Sequence, residues 1–121
     1  YIYFGAGGAR GFDRLASEAV LELKKKYSHI HLILVLPFIN QYEKEEGWSI
    51  EEIDRYNKIK KEASKIVYTQ KYYSKGCYYK RNRHLVDHSS VCICYQYKCT
   101  GGTAYTIEYA KKKGIKILNC I

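Results

Sequence analysis

The chain has 121 residues, 46% of them hydrophobic and 27% charged, with a formal net charge of +9. That length makes one domain with a single continuous core, and that balance excludes a disordered chain. No apolar run approaches the ~20 residues that a membrane span needs, and no signal peptide is visible. Five irregularly spaced cysteines exclude a secreted disulfide scaffold and point to a reducing, cytoplasmic setting.

Tyr1–Phe4 reads as a strand. The chain starts inside it without an initiator methionine, as a processed chain or a fragment of a longer domain would. Gly5–Gly11 follows as a loop with four glycines in seven residues, opening directly into a helix. Along that helix Phe12, Leu15, Ala16, Ala19, Val20 and Leu23 recur at helical spacing and predict the buried face. His31–Leu36 is a near-continuous apolar strand, stopped by Pro37 and covered on both sides. Pro37–Ile50 reads as a loop containing Trp48, and Ser49 caps a helix over Ile50–Ser64. Ile66–Thr69 is a short strand, Lys75–Ser89 a helix, and Val91–Tyr95 a further strand. Gly101 and Gly102 introduce a helix to Lys113, Gly114 ends it, and Ile115–Asn119 is the last strand.

Strands alternating with helices predict an α/β fold: a Rossmann-like, doubly wound, mostly parallel sheet with helices on both faces, all in one domain. Ligands of such sheets bind outside the carboxyl ends of the strands. The loops Gly5–Gly11, Pro37–Gln41, Thr69–Ser74 and Gln96–Thr103 are therefore expected to converge on one edge.

A glycine loop running into a helix N-terminus crowds backbone N–H groups around an anion and adds about half a positive charge. Gly7, Gly8 and Gly11 suit a phosphate, with the plainer alternative of a tight turn that merely needs glycine. The pattern G-x-G-G-x-x-G puts Arg10 where a dinucleotide fingerprint has its third glycine, and no acidic residue follows the next strand. That argues against a nicotinamide dehydrogenase and offers Arg10 as a candidate bidentate phosphate ligand. Asp13 is either part of this site or a first-turn carboxylate facing loop N–H groups.

A second glycine turn, Thr100–Ala110 (TGGTAYTIEYA), offers Gly101, Gly102 and the hydroxyls of Thr103 and Thr106 to a phosphate or ribose. Glu108 is an acid, a ribose ligand or a solvated helix carboxylate. Between the two turns, Lys80, Arg81 and Arg83 lie among Tyr72, Tyr73, Tyr78 and Tyr79. Such a cluster suits phosphates plus a stacked base, or forms a solvated helix face. The charge of +9 favours an anionic partner in either case, although Lys24–Lys26 and Lys111–Lys113 close two predicted helices and need no other role there. His84 and His88 stand four apart with Asp87 between them, but no third ligand has metal-site spacing. Cys92 and Cys94 read as small core residues. Neither metal nor cofactor is expected.

FGAGGARGFDRLASEAV, Leu36-Pro37 with Asn40-Gln41, Trp48 with Arg55-Tyr56, Arg81-Asn82 with Val86-Asp87, and GGTAYTIEYA together resemble the YpsA-like family of the SLOG superfamily. That superfamily also holds the LOG phosphoribohydrolases and DNA-processing protein A. The resemblance runs across essentially the whole chain and implies a Rossmann-like sheet that binds a nucleotide or nucleotide-derived phosphate as a sensor or regulatory module. Family members carry a further N-terminal strand, ending in a Thr-Gly-His-Arg-like loop, that this sequence lacks.

The phosphoribohydrolase glycine loop resembles Gly7-Gly8-Ala9-Arg10-Gly11-Phe12-Asp13. The catalytic Arg-Lys pair of those enzymes resembles Arg81-Asn82, with the arginine retained and the lysine not. Their P-G-G-x-G-T-x-x-E loop resembles Thr100 to Glu108, with Thr100 in place of proline, one glycine fewer and the threonine displaced by a residue. The resemblance thus implies Asn82 as a ligand contact. It offers Arg81 as a phosphate-holding group and Glu108 as stabiliser of a ribosyl centre, should N-glycosidic cleavage of a nucleoside monophosphate be the activity. Single-stranded nucleic acid is a further alternative partner, no membrane is expected, and a homo-oligomer is left open.

Overall fold

Strands Tyr3–Ala6 (β1), His31–Leu36 (β2) and Lys65–Tyr68 (β3) form a parallel sheet in the order β1-β2-β3. Val91–Cys94 (β4) and Lys116–Asn119 (β5) form a second parallel pair. Helices Phe12–Lys26 (α1), Gln41–Lys44 (α2), Ile50–Glu62 (α3), Cys77–Asp87 (α4) and Gly102–Lys112 (α5) connect them. The structure, a computed structural model, describes residues 2–96 and 101–120. Among these, no ladder joins the two sheets.

β2 is central because its apolar run can be covered on both faces. Ala6 sits opposite Leu34, and Leu36 opposite Tyr68. On one face Ala6, Leu32, Leu34 and Leu36 pack with Leu21 of α1 and with Tyr56 and Ile59 of α3. On the other, Gly5 lies against Leu85 of α4, so helices cover both faces of the α/β sheet. α5 turns Ala104, Ile107 and Ala110 inward, an i, i+3, i+6 stripe. No helix among the described residues is long and apolar enough to cross a membrane.

Three local expectations need correcting. β1 begins two residues later than the sequence suggests and takes in Gly5 and Ala6. The buried face of α1 is Arg14, Ser17 and Leu21, while Leu15 is 61% exposed and Leu23 faces outward too. The rotation follows from the α1–α3 contact: Arg14 meets Glu52 of α3 at 3.4 Å and lies over Trp48, and Arg55 of α3 forks onto Glu18. Polar partners in α3 thus outweigh the apolar pattern of α1. Finally, the segment read as a loop contains α2, a single turn entered through Asn40 at φ 52°, a left-handed conformation that asparagine tolerates.

Candidate functional site

The parallel strands bring three of the four expected loops together at their carboxyl ends. Ile39 donates its backbone N–H to the Lys71 carbonyl at 3.2 Å, and Thr69 donates to Leu36 at 3.1 Å. Gly8 of the first loop lies against Gln41. The end of β4 reaches the same rim, where the ring of Tyr95 stacks on Phe12 at 6.3 Å. Residues 97–100, including Cys99 and Thr100 of the second glycine turn, lie outside the described residues.

At the centre of this rim is Arg81, carried in from α4 and only 4% exposed. Its Nε donates to Asn82 Oδ1 at 2.7 Å, while Nη1 is buried without a hydrogen-bond partner among the described residues. A Cβ added to Gly7 would lie 2.6 Å from that Nη1 and 2.8 Å from Asp13 Oδ2. A side chain at position 7 would have to push the guanidinium or the carboxylate aside, because the backbone passes between the two. Gly8 is as constrained: its Cβ would meet Leu36 Cδ2 at 2.5 Å and Gln41 Oε1 at 2.9 Å.

Asp13 accepts a hydrogen bond from the Ala9 backbone N–H, as a first-turn carboxylate does. Burial pushes its carboxyl above the ordinary value, and the Arg81 guanidinium and the Ala9 N–H pull it back only in part. Burial likewise lowers Arg81, opposed by the charges of Asp13 and Glu45. No side chain caps α1 at Gly11, so its first N–H groups face the rim. Arg10 is exposed there, its guanidinium 5.1 Å from the Trp48 ring centre and its Nη2 3.2 Å from the Glu46 carbonyl.

The sequence reading missed the group that ties this rim together. Glu45 accepts from Gln41 Nε2 at 2.9 Å, Trp48 Nε1 at 3.0 Å and the Tyr78 hydroxyl at 2.6 Å. Burial first, and the Glu45 bond second, push the Tyr78 phenol well up, so it remains a donor. Because the carboxylate only accepts, the Gln41 amide is fixed with its nitrogen toward Glu45 and its buried oxygen toward Gly8. Beneath the loop, Gly7, Gly8, Ala9, Arg14, Ser17, Leu34, Tyr56 and Ile59 line a cavity with about 10 Å³ for the centre of a water-sized sphere. Arg14 Nη2, Ser17 Oγ and the Tyr56 hydroxyl are buried there without side-chain partners, a size and polarity that suit one water.

The second glycine turn is built differently. Gly101, Gly102 and Thr103 are exposed, and the Thr106 hydroxyl donates back to the Gly102 carbonyl at 2.9 Å. Glu108 is 67% exposed and pairs with Lys111 at 3.5 Å on the outer side of α5. The carboxylates whose charge acts on Arg81 are Asp13 and Glu45, not Glu108. His84 and His88 stack at 4.2 Å, and His88 Nδ1 is engaged with the His84 carbonyl. Among the described residues no group of three or more His, Cys, Asp or Glu is placed to hold a metal.

Parallel strands, crossover helices on both faces and a glycine loop at their carboxyl rim define a Rossmann-like α/β protein. The family YpsA, described as the YspA SLOG family, matches residues 3–117, and the chain belongs to it. The chain is 33% identical over 109 residues to a UPF0398 protein of Brevibacillus brevis, covering 88% of this chain and 56% of that protein. It is 31% identical over 121 residues to the uncharacterised SPbeta prophage-derived protein YoqJ of Bacillus subtilis, covering 90% and 69%. A UPF0398 protein of Bacillus thuringiensis is 29% identical over 110 residues, covering 88% and 58%. The chain thus spans little more than half the length of the UPF0398 relatives it matches.

Proposed function

We propose that the rim around Gly7 binds the phosphate of a nucleotide or nucleotide-derived ligand, as the sensing part of a regulatory protein. The observation that carries this reading is Arg81: a guanidinium buried beneath Gly7, with one nitrogen unspent, beside a helix N-terminus that no side chain caps. Burying a cation without a full set of partners is costly, and an anion bound on the other side of Gly7 offsets its charge at short range. The cavity under the loop is far too small for a nucleotide. The ligand therefore lies on the outer side of the loop, over the start of α1, where Arg10 is free to leave Trp48 and join it. Gly7, Gly8 and Gly11 supply backbone N–H groups, and Asn82 holds Arg81 in place. In this reading Gly101, Gly102 and Thr103 of the second turn complete the ligand contacts.

Isothermal titration with nucleoside mono-, di- and triphosphates and ADP-ribose tests this. Saturable binding is expected, lost in Arg81→Met and in Gly7→Ala, whose new methyl displaces the guanidinium. Folding of both variants is checked by near-ultraviolet circular dichroism. A wild-type protein that binds none of these compounds, or an Arg81→Met protein that binds them unchanged, refutes the reading.

A further inference from the structure

Asp13 is the group in this rim that an anion site does not call for. It is half-buried in the first turn of α1 and brings its own negative charge. Asp13 Oδ2 and the unpartnered Arg81 Nη1 come within 2.8 and 2.6 Å of one point, the place of a Cβ on Gly7. Yet they form no ion pair: among the described residues, the arginines in ion pairs are Arg14, with Glu52, and Arg55, with Glu18. The acid and the cation share a field across the Gly7 backbone without sharing a hydrogen bond.

The groups around the pair come from every neighbouring element. Arg81 on α4 is the side chain whose charge acts on Asp13, and the Ala9 N–H of the loop is its donor. On α1 and just before it, Arg14 is turned to Glu52, and Arg10 to Trp48 and the Glu46 carbonyl. At the end of β4 the Tyr95 ring lies on Phe12, and Gly101, Gly102 and Thr103 at the start of α5 are uncharged. Glu45 acts on the same Arg81 guanidinium, and the Tyr78 hydroxyl donates to Glu45 at 2.6 Å. One guanidinium thus serves two acids before any ligand arrives.

A phosphate over the outer side of Gly7 is a third claimant on that charge. Like charges gathered on one cation raise one another's affinity for protons. Glu45 keeps its negative charge because Gln41, Trp48 and Tyr78 all donate to it. Asp13 is held by one backbone N–H, and burial has already raised its carboxyl. It is the acid that gives way.

We infer, on the reading of the rim proposed above, that binding of the anion takes up a proton at Asp13 and leaves Arg81 to the ligand. The proton passes from the buffer to a carboxylate oxygen, and no bond of the ligand changes. Affinity is then greatest in acid. It falls as pH rises between the free and the bound values of Asp13, by about tenfold per pH unit at most for one proton.

The test is calorimetric titration of the whole chain with ADP-ribose, whose pyrophosphate has no proton to exchange near neutral pH. Each titration is run in two buffers of equal ionic strength and different ionisation enthalpy, so that the difference in heat counts the protons taken up. Uptake of up to one proton is expected, largest on the acid side of neutrality, together with the fall in affinity. Asp13→Asn, its fold checked by near-ultraviolet circular dichroism, should bind with no uptake and with an affinity indifferent to pH. The wild-type comparison between buffers decides alone where that variant does not fold. If a phosphomonoester of the panel binds in place of ADP-ribose, the difference between wild type and Asp13→Asn removes the ligand's own protons.

Binding without uptake, release of a proton, or uptake undiminished in Asp13→Asn overturns the inference and leaves the anion site standing. A wild-type protein that binds no compound of the panel overturns both.

Discussion

The Arg81–Gly7–Asp13 contact is where sequence and structure agree in kind and differ in detail. The glycine loop, the arginine and the first-turn aspartate are all legible along the chain. That Gly7 is wedged between the other two is not, because Arg81 arrives from an element 74 positions away. The Glu45 hub was illegible for the same reason: Tyr78 is 33 residues distant, and only the Gln41–Glu45 and Glu45–Trp48 spacings hinted at a local cluster. Asp13 gives this scale its prediction. A carboxyl whose folded value is raised stabilises the fold below its ordinary value of 3.8 and loses that contribution as pH rises through the folded value. Asp13→Asn titrates nothing there. The stability difference, variant minus wild type, should therefore move in the variant's favour from acid toward neutral pH, read as urea midpoints over a pH series. A difference that moves the other way would show Asp13 held ionised by Arg81.

At the scale of elements, the helices and strands follow from periodicity, capping and glycine punctuation, and the α3 start is the clearest case. Ser49 Oγ accepts from the Glu52 N–H at 3.1 Å, while Glu52 Oε1 accepts from the Ser49 N–H at 3.1 Å. The reciprocal pair is written in the sequence as S-x-x-E. The faces of helices were harder to read. α1 shows a plausible apolar stripe, yet Glu52 and Trp48 draw Arg14 inward, so a tertiary partnership decides what a single-helix pattern cannot. α2 has no pattern to find, because one turn is too short for periodicity and is held by the bonds of Gln41 and Glu45. The cap carries a prediction of its own. Ser49→Ala should lower stability by about 1 kcal/mol with an unchanged denaturant slope, and Ser49→Asp should retain most of it. An unmoved midpoint in Ser49→Ala would show that Glu52 holds the helix start through Arg14 alone.

The molecule as a whole is unevenly built. β2 is buried along most of its length and belongs to the main apolar cluster, whereas β5 exposes Lys116, Leu118 and Asn119 and leaves only Ile117 half-covered. No ladder among the described residues carries β1 hydrogen bonding into β4, so β4 and β5 lean on the first sheet through side chains. Among the described residues those contacts include Tyr79 on Tyr105, Arg83 with Tyr105, Tyr109 and Lys113 with Asp87, and Phe12 on Tyr95. Most are surface contacts between polar or half-exposed rings, which stabilise less than a shared apolar interior. Local opening should follow this division rather than involve the whole fold at once. In native-state hydrogen exchange the β2 amides should be protected at least tenfold more than those of β5, about 1.4 kcal/mol apart in opening free energy. Tyr105→Ala, which removes the partner of both Tyr79 and Arg83, should widen that gap by accelerating exchange in β4, β5 and α5 while leaving β2 unchanged. Equal protection of the two sheets, with Tyr105→Ala lowering both together, would show instead that the packing of α4 on α5 makes the halves a single cooperative unit.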